Sequence, residues 1–212
     1  MYQADRSLFD LRRGRPLYVT SSTEQGLAKG ALLATVEGLT PETLAQVGGL
    51  DDGCVRLAVT RHRAESMGLF ANGHGHNART AMSLRLTGCT TPSEFLRIST
   101  STGTHVRATL DVRRASPAEV AGLTLARLGH LLPAIVAVPV DASAATDLHV
   151  LVEAGNVLSV TVSQIEAMAN AVRVEVTHVS EGAVPLQDAE DARFVSFREA
   201  NGILEHVAIL VG

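Results

Sequence analysis

The densest group of chemically useful side chains is the run Asn72-Gly73-His74-Gly75-His76-Asn77-Ala78-Arg79, which places two imidazoles, a guanidinium and two amides within eight positions. Histidine changes charge near neutral pH, so such a segment suits general acid-base catalysis. His-x-His also occurs in metal sites, but no third ligand is in view. The plain alternative is a solvated glycine-rich loop whose histidines are incidental. His74 and His76 are therefore candidate catalytic residues, Arg79 is a candidate substrate contact, and no metal ligand is assigned. Cys54 and Cys89 have neither zinc-type spacing nor enough company for a disulfide framework.

These residues need a scaffold, and the patterning supplies one. The 212 residues are 46% hydrophobic, enough for one full core or one domain with a small appendage. Helices are expected to start at Thr40-Pro41-Glu42, Ser116-Pro117-Ala118-Glu119 and Ser163-Gln164-Ile165-Glu166, where a capping hydroxyl precedes a proline or an acid three residues on. The last of these shows Ile165, Met168, Ala169 and Val172 at helical spacing, an apolar stripe that needs a sheet beneath it. Strands are expected over residues 17–20, 54–60, 81–86, 106–112, 134–140, 157–162 and 172–177. Alternation over residues 106–112 predicts a half-exposed antiparallel strand, whereas Ala-Ile-Val-Ala-Val-Pro-Val at 134–140 is apolar on both faces and belongs at the centre of a sheet. The expected fold class is α+β with α/β-type layers, a single domain whose mixed sheet is flanked by helices.

Several function classes are disfavoured. The formal charge is −4 and the eighteen Lys and Arg are scattered, so nucleic acid is not an expected partner. No apolar run reaches the roughly 18 residues needed to span a bilayer, and the N-terminus lacks a signal-peptide core, so a cytoplasmic protein without a membrane partner is expected. A single lysine, Lys29, with abundant Ala, Val and Leu, points by composition to a GC-rich bacterial source.

The segment from Ser116 to Ala171, together with L-R-R-G-R-P-L-Y-V, A-L-L-A-T-V-E-G-L-T-P-E-T-L-A, D-G-C-V-R-L-A-V-T and T-A-M-S-L-R-L followed by Gly88-Cys89-Thr90-Thr91, resembles 3,4-dihydroxy-2-butanone 4-phosphate (DHBP) synthase, the riboflavin-pathway family that acts on ribulose 5-phosphate. The ordered matches cover residues 10–171. The stretch R-F-V-S-F-R-E-A-N-G-I-L-E-H-V-A-I-L-V-G resembles the first hairpin of GTP cyclohydrolase II, with Asn201-Gly202 as its turn signal. The resemblance implies a DHBP-synthase-like domain over 1–175, a C-terminal extension with a β-hairpin over 176–212, and a homodimer. The zinc motif and nucleotide site of the cyclohydrolase family are expected to lie beyond Gly212, so no cyclohydrolase chemistry is expected.

The chain departs from the synthase pattern where the resemblance places chemistry. The family's acid-dense, magnesium-holding loop falls on Gln25, Gly26, Leu27, Ala28, Lys29, Gly30 and Ala31, and Leu27 offers a hard cation no oxygen. The Gly-His-Thr-Glu run at a helix start falls on Pro117, Ala118, Glu119 and Val120, and the family cysteine falls on Arg56. The loop between Thr91 and His105 is shortened. By position in the resemblance, His105 is a third candidate catalytic residue, and Arg56, Thr90 and Thr91 join Arg79 as candidate substrate contacts. Arg56 either holds an anion bidentately in the pocket or points outward from an edge strand. Lys29 is a further possible partner for a carboxylate or phosphate, whereas Asp188, Glu190 and Asp191 read as a charged surface loop.

Two functions follow as expectations. In the first, the chain has lost magnesium-dependent ribulose 5-phosphate chemistry and is repurposed as a metal-independent, cofactor-free lyase, isomerase or cyclase acting on a small molecule, an anion among the candidates, in specialised biosynthesis; it predicts a defined cavity. In the second, it is an inactive homologue with a structural or regulatory role as a dimer partner in riboflavin metabolism, its pocket collapsed on Leu27 and Val120.

Overall fold

In the computed structural model, the structure describes residues 2–21, 30–49, 55–68, 81–86, 91–101, 111–140, 144–171, 175–199 and 204–211. The chain divides into two compact units, Met1–Ala169 and Asn170–Gly212.

The first unit holds a seven-stranded sheet. Its strands are β1 (Leu17–Thr20), β2 (Gly30–Thr35), β3 (Arg56–Val59), β4 (Met82–Arg85), β5 (Asp111–Arg114), β6 (Ala134–Val140) and β7 (Leu158–Thr161), in the order β5-β4-β3-β6-β2-β1-β7. Only the β1–β7 pair is parallel, so the sheet is mixed. The apolar run of β6 takes the middle place, as two-sided apolarity requires. Its Pro139 lies two residues beyond Ala137, the last residue paired with β3, so no β3 hydrogen bond is lost to the missing N–H.

Alternation along the strands sorts the core into two faces. Leu32, Leu57, Met82, Leu84, Val136 and Val138 pack with residues of α2 (Pro41–Gly48), α3 (Arg61–Ser66), α4 (Pro92–Thr100) and α6 (Ala144–Glu153). Leu33, Ala58, Ile135, Ala137 and Val160 pack on the opposite side with α1 (Tyr2–Arg12), α5 (Pro117–Leu128) and α7 (Val162–Ala171). The result is a three-layer unit, helices on both faces of one sheet. No described helix is long and apolar enough to cross a membrane.

Local chemistry explains the helix starts. Thr40 and Ser116 cap α2 and α5, each with proline at the first helical position. The third expected start is displaced by two residues. The reciprocal pair at α7 is Thr161 with Gln164, because β7 stays paired to Thr20 through Thr161 and the helix follows at once, leaving Ser163 inside the first turn. Residues 92–100, expected to be loop, form α4, and the pattern Thr91-Pro92-Ser93-Glu94 accounts for it as a capping box. The strand expected over 106–112 is described from Asp111, where β5 is a half-exposed antiparallel edge.

The second unit is a three-stranded antiparallel sheet, β10-β9-β8, built from β8 (Val176–Ala183), β9 (Arg193–Glu199) and β10 (Glu205–Leu210). The expected hairpin is the β9–β10 pair; its turn signal, Asn201-Gly202, lies outside the described residues. The strand expected over 172–177 is described as β8 from Val176, which adds a third strand to that hairpin.

Candidate functional site

On the α5 face of the sheet, apolar residues give way to polar ones between β6 and β5. Arg56 on β3, Ser83 on β4, and Asp111 and Arg113 on β5 share that face, and the first turn of α5 lowers Glu119 onto them. Arg56 is 5% exposed, Ser83 0% and Glu119 1%. Burying such groups is tolerable only when their hydrogen bonds are made. Arg56 donates from Nε to Ser83 Oγ at 2.9 Å, from Nη1 to Asp111 Oδ2 at 2.8 Å, and from Nη2 to the carbonyls of Ser83 and Asp111 at 3.0 Å each. Ser83 Oγ in turn donates to Glu119 Oε1 at 2.7 Å.

Glu119 collects four donors. Oε1 accepts from Ser83 Oγ and from Arg113 Nη2 at 3.0 Å; Oε2 accepts from Arg113 Nη1 at 2.8 Å and from the Ser116 N–H at 2.6 Å. An ionised carboxylate offers about four lone-pair positions, and all are used. Burial opposes ionisation of Glu119, but the bonds from Arg113, Ser116 and Ser83 outweigh it and hold the carboxyl below its ordinary range. The hydrogen bond and charge of Arg56 lower that of Asp111 likewise. Five side chains from three strands and a helix thus form one continuous, paired lattice.

Magnesium, which the resemblance implies, requires carboxylate oxygens with free lone pairs. Glu119, the acid at the matching helix start, has none to offer, so this position does not fit a metal ligand. Residues 25–29 of the matching loop lie outside the described residues; Gly30 and Ala31 open β2. Among the described residues there is no group of His, Cys, Asp and Glu that could hold a metal ion.

Of the seven candidate catalytic and substrate-contact residues, two fall within the described parts. Arg56 lies on an internal strand between β4 and β6, pointing neither outward nor into open space, and its guanidinium is bound by Asp111 and Ser83. Thr91 caps α4: its Oγ1 accepts from the Glu94 N–H at 3.4 Å and donates to Glu94 Oε2 at 2.9 Å. His74, His76, Arg79, Thr90 and His105 lie outside the described residues, as does Lys29. Thr20, Arg56, Arg85, Asp111 and Val140 mark one end of the sheet, and Val59, Met82 and Arg114 mark the other.

Sequence reasoning missed Ser83, Asp111 and Arg113, and it read Glu119 as a helix cap within the positions of the Gly-His-Thr-Glu run, without its buried partners. A serine between Met82 and Leu84 in an apolar strand, and an arginine six residues before a capping acid, were the available signals.

No protein-family profile matches the chain. A GTP cyclohydrolase-2 from Azospirillum brasilense is 28% identical over 225 residues, an alignment that takes in 100% of this chain and 54% of the relative. The chain therefore spans about half the length of that curated relative. Among solved structures, a two-domain DHBP synthase from A. baumannii superposes with a TM-score of 0.55 at 19% identity, covering 99% of this chain and 70% of that one. The DHBP synthase of Candida albicans gives 0.54 at 17%, covering 77% and 95%. A DHBP synthase in complex with two magnesium ions gives 0.50 at 13%, covering 79% and 96%. The mixed seven-stranded sheet with helices on both faces is thus the fold of the 3,4-dihydroxy-2-butanone 4-phosphate synthases.

Proposed function

We propose that this chain is a metal-independent enzyme acting on a small molecule, as a lyase, isomerase or cyclase in specialised biosynthesis, and that it has given up the magnesium-dependent conversion of ribulose 5-phosphate. The observation that carries this reading is the four-donor shell of Glu119, which leaves the acid no lone pair for a cation. Enolisation chemistry needs only a base and a partner for the developing oxyanion. His74, His76 and His105 are the proposed bases, and Arg79 and Thr90 the proposed substrate contacts. Arg56 and Thr91 would have to release internal hydrogen bonds to reach a ligand, so the reading leans on the others. No cofactor is invoked, and a homodimer is proposed from the resemblance. The activity of the Azospirillum relative is not part of this proposal, because the chain spans only 54% of that protein.

A second reading, an inactive homologue serving as a structural or regulatory dimer partner in riboflavin metabolism, is favoured by the commitment of Arg56 and Thr91 to bonds within the chain.

The decisive assay supplies ribulose 5-phosphate with and without magnesium and follows formate. No formate above background is expected in either case; magnesium-dependent formate release would end the proposal. Incubation with a bacterial small-molecule extract, followed by mass spectrometry, separates the two readings. Consumption of a component by the wild type and not by His74→Ala, His76→Ala or His105→Ala supports the enzyme, whereas an unchanged extract supports the second reading.

A further inference from the structure

A cleft of about 660 Å³ opens between the start of α3, Ala81 at the head of β4 and the outer side of α5. It lies at the sheet end remote from Arg56, since Thr60 and Ala81 flank the Val59–Met82 pair. Its volume falls within the roughly 300–1,000 Å³ of small-molecule sites. Ala81, Val120 and Leu123 give it an apolar wall, Arg61 and Arg127 supply its charge, and the His62 imidazole lies beside them.

The balance of charge there is one-sided. No carboxylate is among the described lining residues, although the whole chain is net negative. Glu65, outside the lining, pairs with Arg61 at 2.6 Å and lies 3.7 Å from the His62 ring, so it offsets the charge of Arg61. Arg127 comes from the other wall and has no side-chain partner among the described residues. The two threonines in the lining are already engaged: Thr60 accepts the Arg63 N–H as the cap of α3, and Thr124 donates to the Val120 carbonyl. Polar side-chain recognition in this cleft therefore falls to Arg127, with Arg61 and the His62 imidazole on the facing wall. Val120, 41% exposed on α5, is an apolar contact that nothing in the described chain covers.

We propose that this cleft binds a small organic anion, with a phosphate or carboxylate against Arg127 and an apolar body against Val120 and Leu123. A guanidinium pairs with either anion through two parallel N–H donors, and an apolar wall beside it selects for anions that carry a hydrocarbon part. The site does not depend on the catalytic reading above, because binding here requires no turnover and no magnesium.

Calorimetric titration of the full chain with phenyl phosphate and with benzoate tests it, the two probes separating phosphate from carboxylate. Inorganic phosphate and benzyl alcohol serve as the charge-only and apolar-only controls. At least one aromatic anion is expected to bind about tenfold or more tightly than both controls, and Arg127→Gln and Val120→Asp are each expected to weaken it about tenfold at unchanged melting temperature. Both positions are on the surface, so neither change disturbs the core. Absence of binding by both aromatic anions, equal binding of inorganic phosphate, or affinity unmoved by both substitutions would overturn the proposal.

Discussion

Ser83 donates its hydroxyl proton to Glu119 at 2.7 Å while accepting from Arg56 at 2.9 Å, so one buried serine joins the guanidinium of a strand to the carboxylate of a helix. Removing that hydroxyl leaves an arginine donor and a carboxylate oxygen each one partner short in a dry setting. Ser83→Ala is expected to cost about 1–3 kcal/mol in urea unfolding, more than the change in volume accounts for. A loss under a few tenths of a kcal/mol would mean that the serine is not a working link.

Glu119 ties stability to acid pH. Its folded pKa lies below the ordinary 4.5, so the unfolded chain takes up the proton first, and the stabilisation is present above the ordinary value and lost as pH falls through the folded one. Glu119→Gln is expected to be about 1–3 kcal/mol less stable than wild type at pH 7, since Ser83, Ser116 and the partly exposed Arg113 lose a charged acceptor. The gap should shrink as pH falls below the ordinary carboxylate value and through the lower folded one. Urea midpoints at several pH values check this; a gap constant with pH would show that the charge on Glu119 contributes nothing.

At Gly122, α5 lies close against side chains of the sheet. A Cβ there would stand 2.7 Å from Leu33 Cδ2 and 2.8 Å from Ile135 Cδ1, both on fully buried side chains. Alanine gains about 1 kcal/mol of helix propensity, but overpacking typically costs 1–3 kcal/mol. Gly122→Ala is therefore expected to be neutral to destabilising by about 2 kcal/mol, and a gain in melting temperature would show that the interface has slack.

His130 ends α5 in a left-handed conformation, with φ of 54°. Its N–H bonds the Arg127 carbonyl and the Leu131 N–H bonds the Ala126 carbonyl, the same paired closure that Gly155 provides for α6 at φ of 74°. His130→Gly removes the Cβ strain and is expected to stabilise by about 1 kcal/mol, read as a rise of a few degrees in melting temperature. No rise would locate a compensating contact at the imidazole.

Much of the scaffold was legible because it depends on short-range chemistry. The run at 134–140 announced a central strand by lacking a polar face, and Thr40 and Ser116 announced helix starts through hydroxyls set before prolines. The same rule fits Thr91-Pro92-Ser93-Glu94, yet its resemblance to a substrate-contacting threonine pair drew the reading toward ligand rather than toward the cap of α4. At α7 two overlapping capping patterns competed, and the pairing of Thr161 with Thr20 decided between them.

What the residues determined by themselves was the alternation of apolar faces, the capped helix starts and the thinning of acids between Thr20 and Gly30. Folding alone decided that Arg56, chosen for its charge, meets Asp111 across 55 positions and Ser83 across 27. It also decided that Glu119, chosen for its place in a cap, is closed off by Arg113 and Ser83. The reason is range: a cap is satisfied by neighbours within one turn, whereas the partner of a buried charge is whichever strand the sheet order brings beside it.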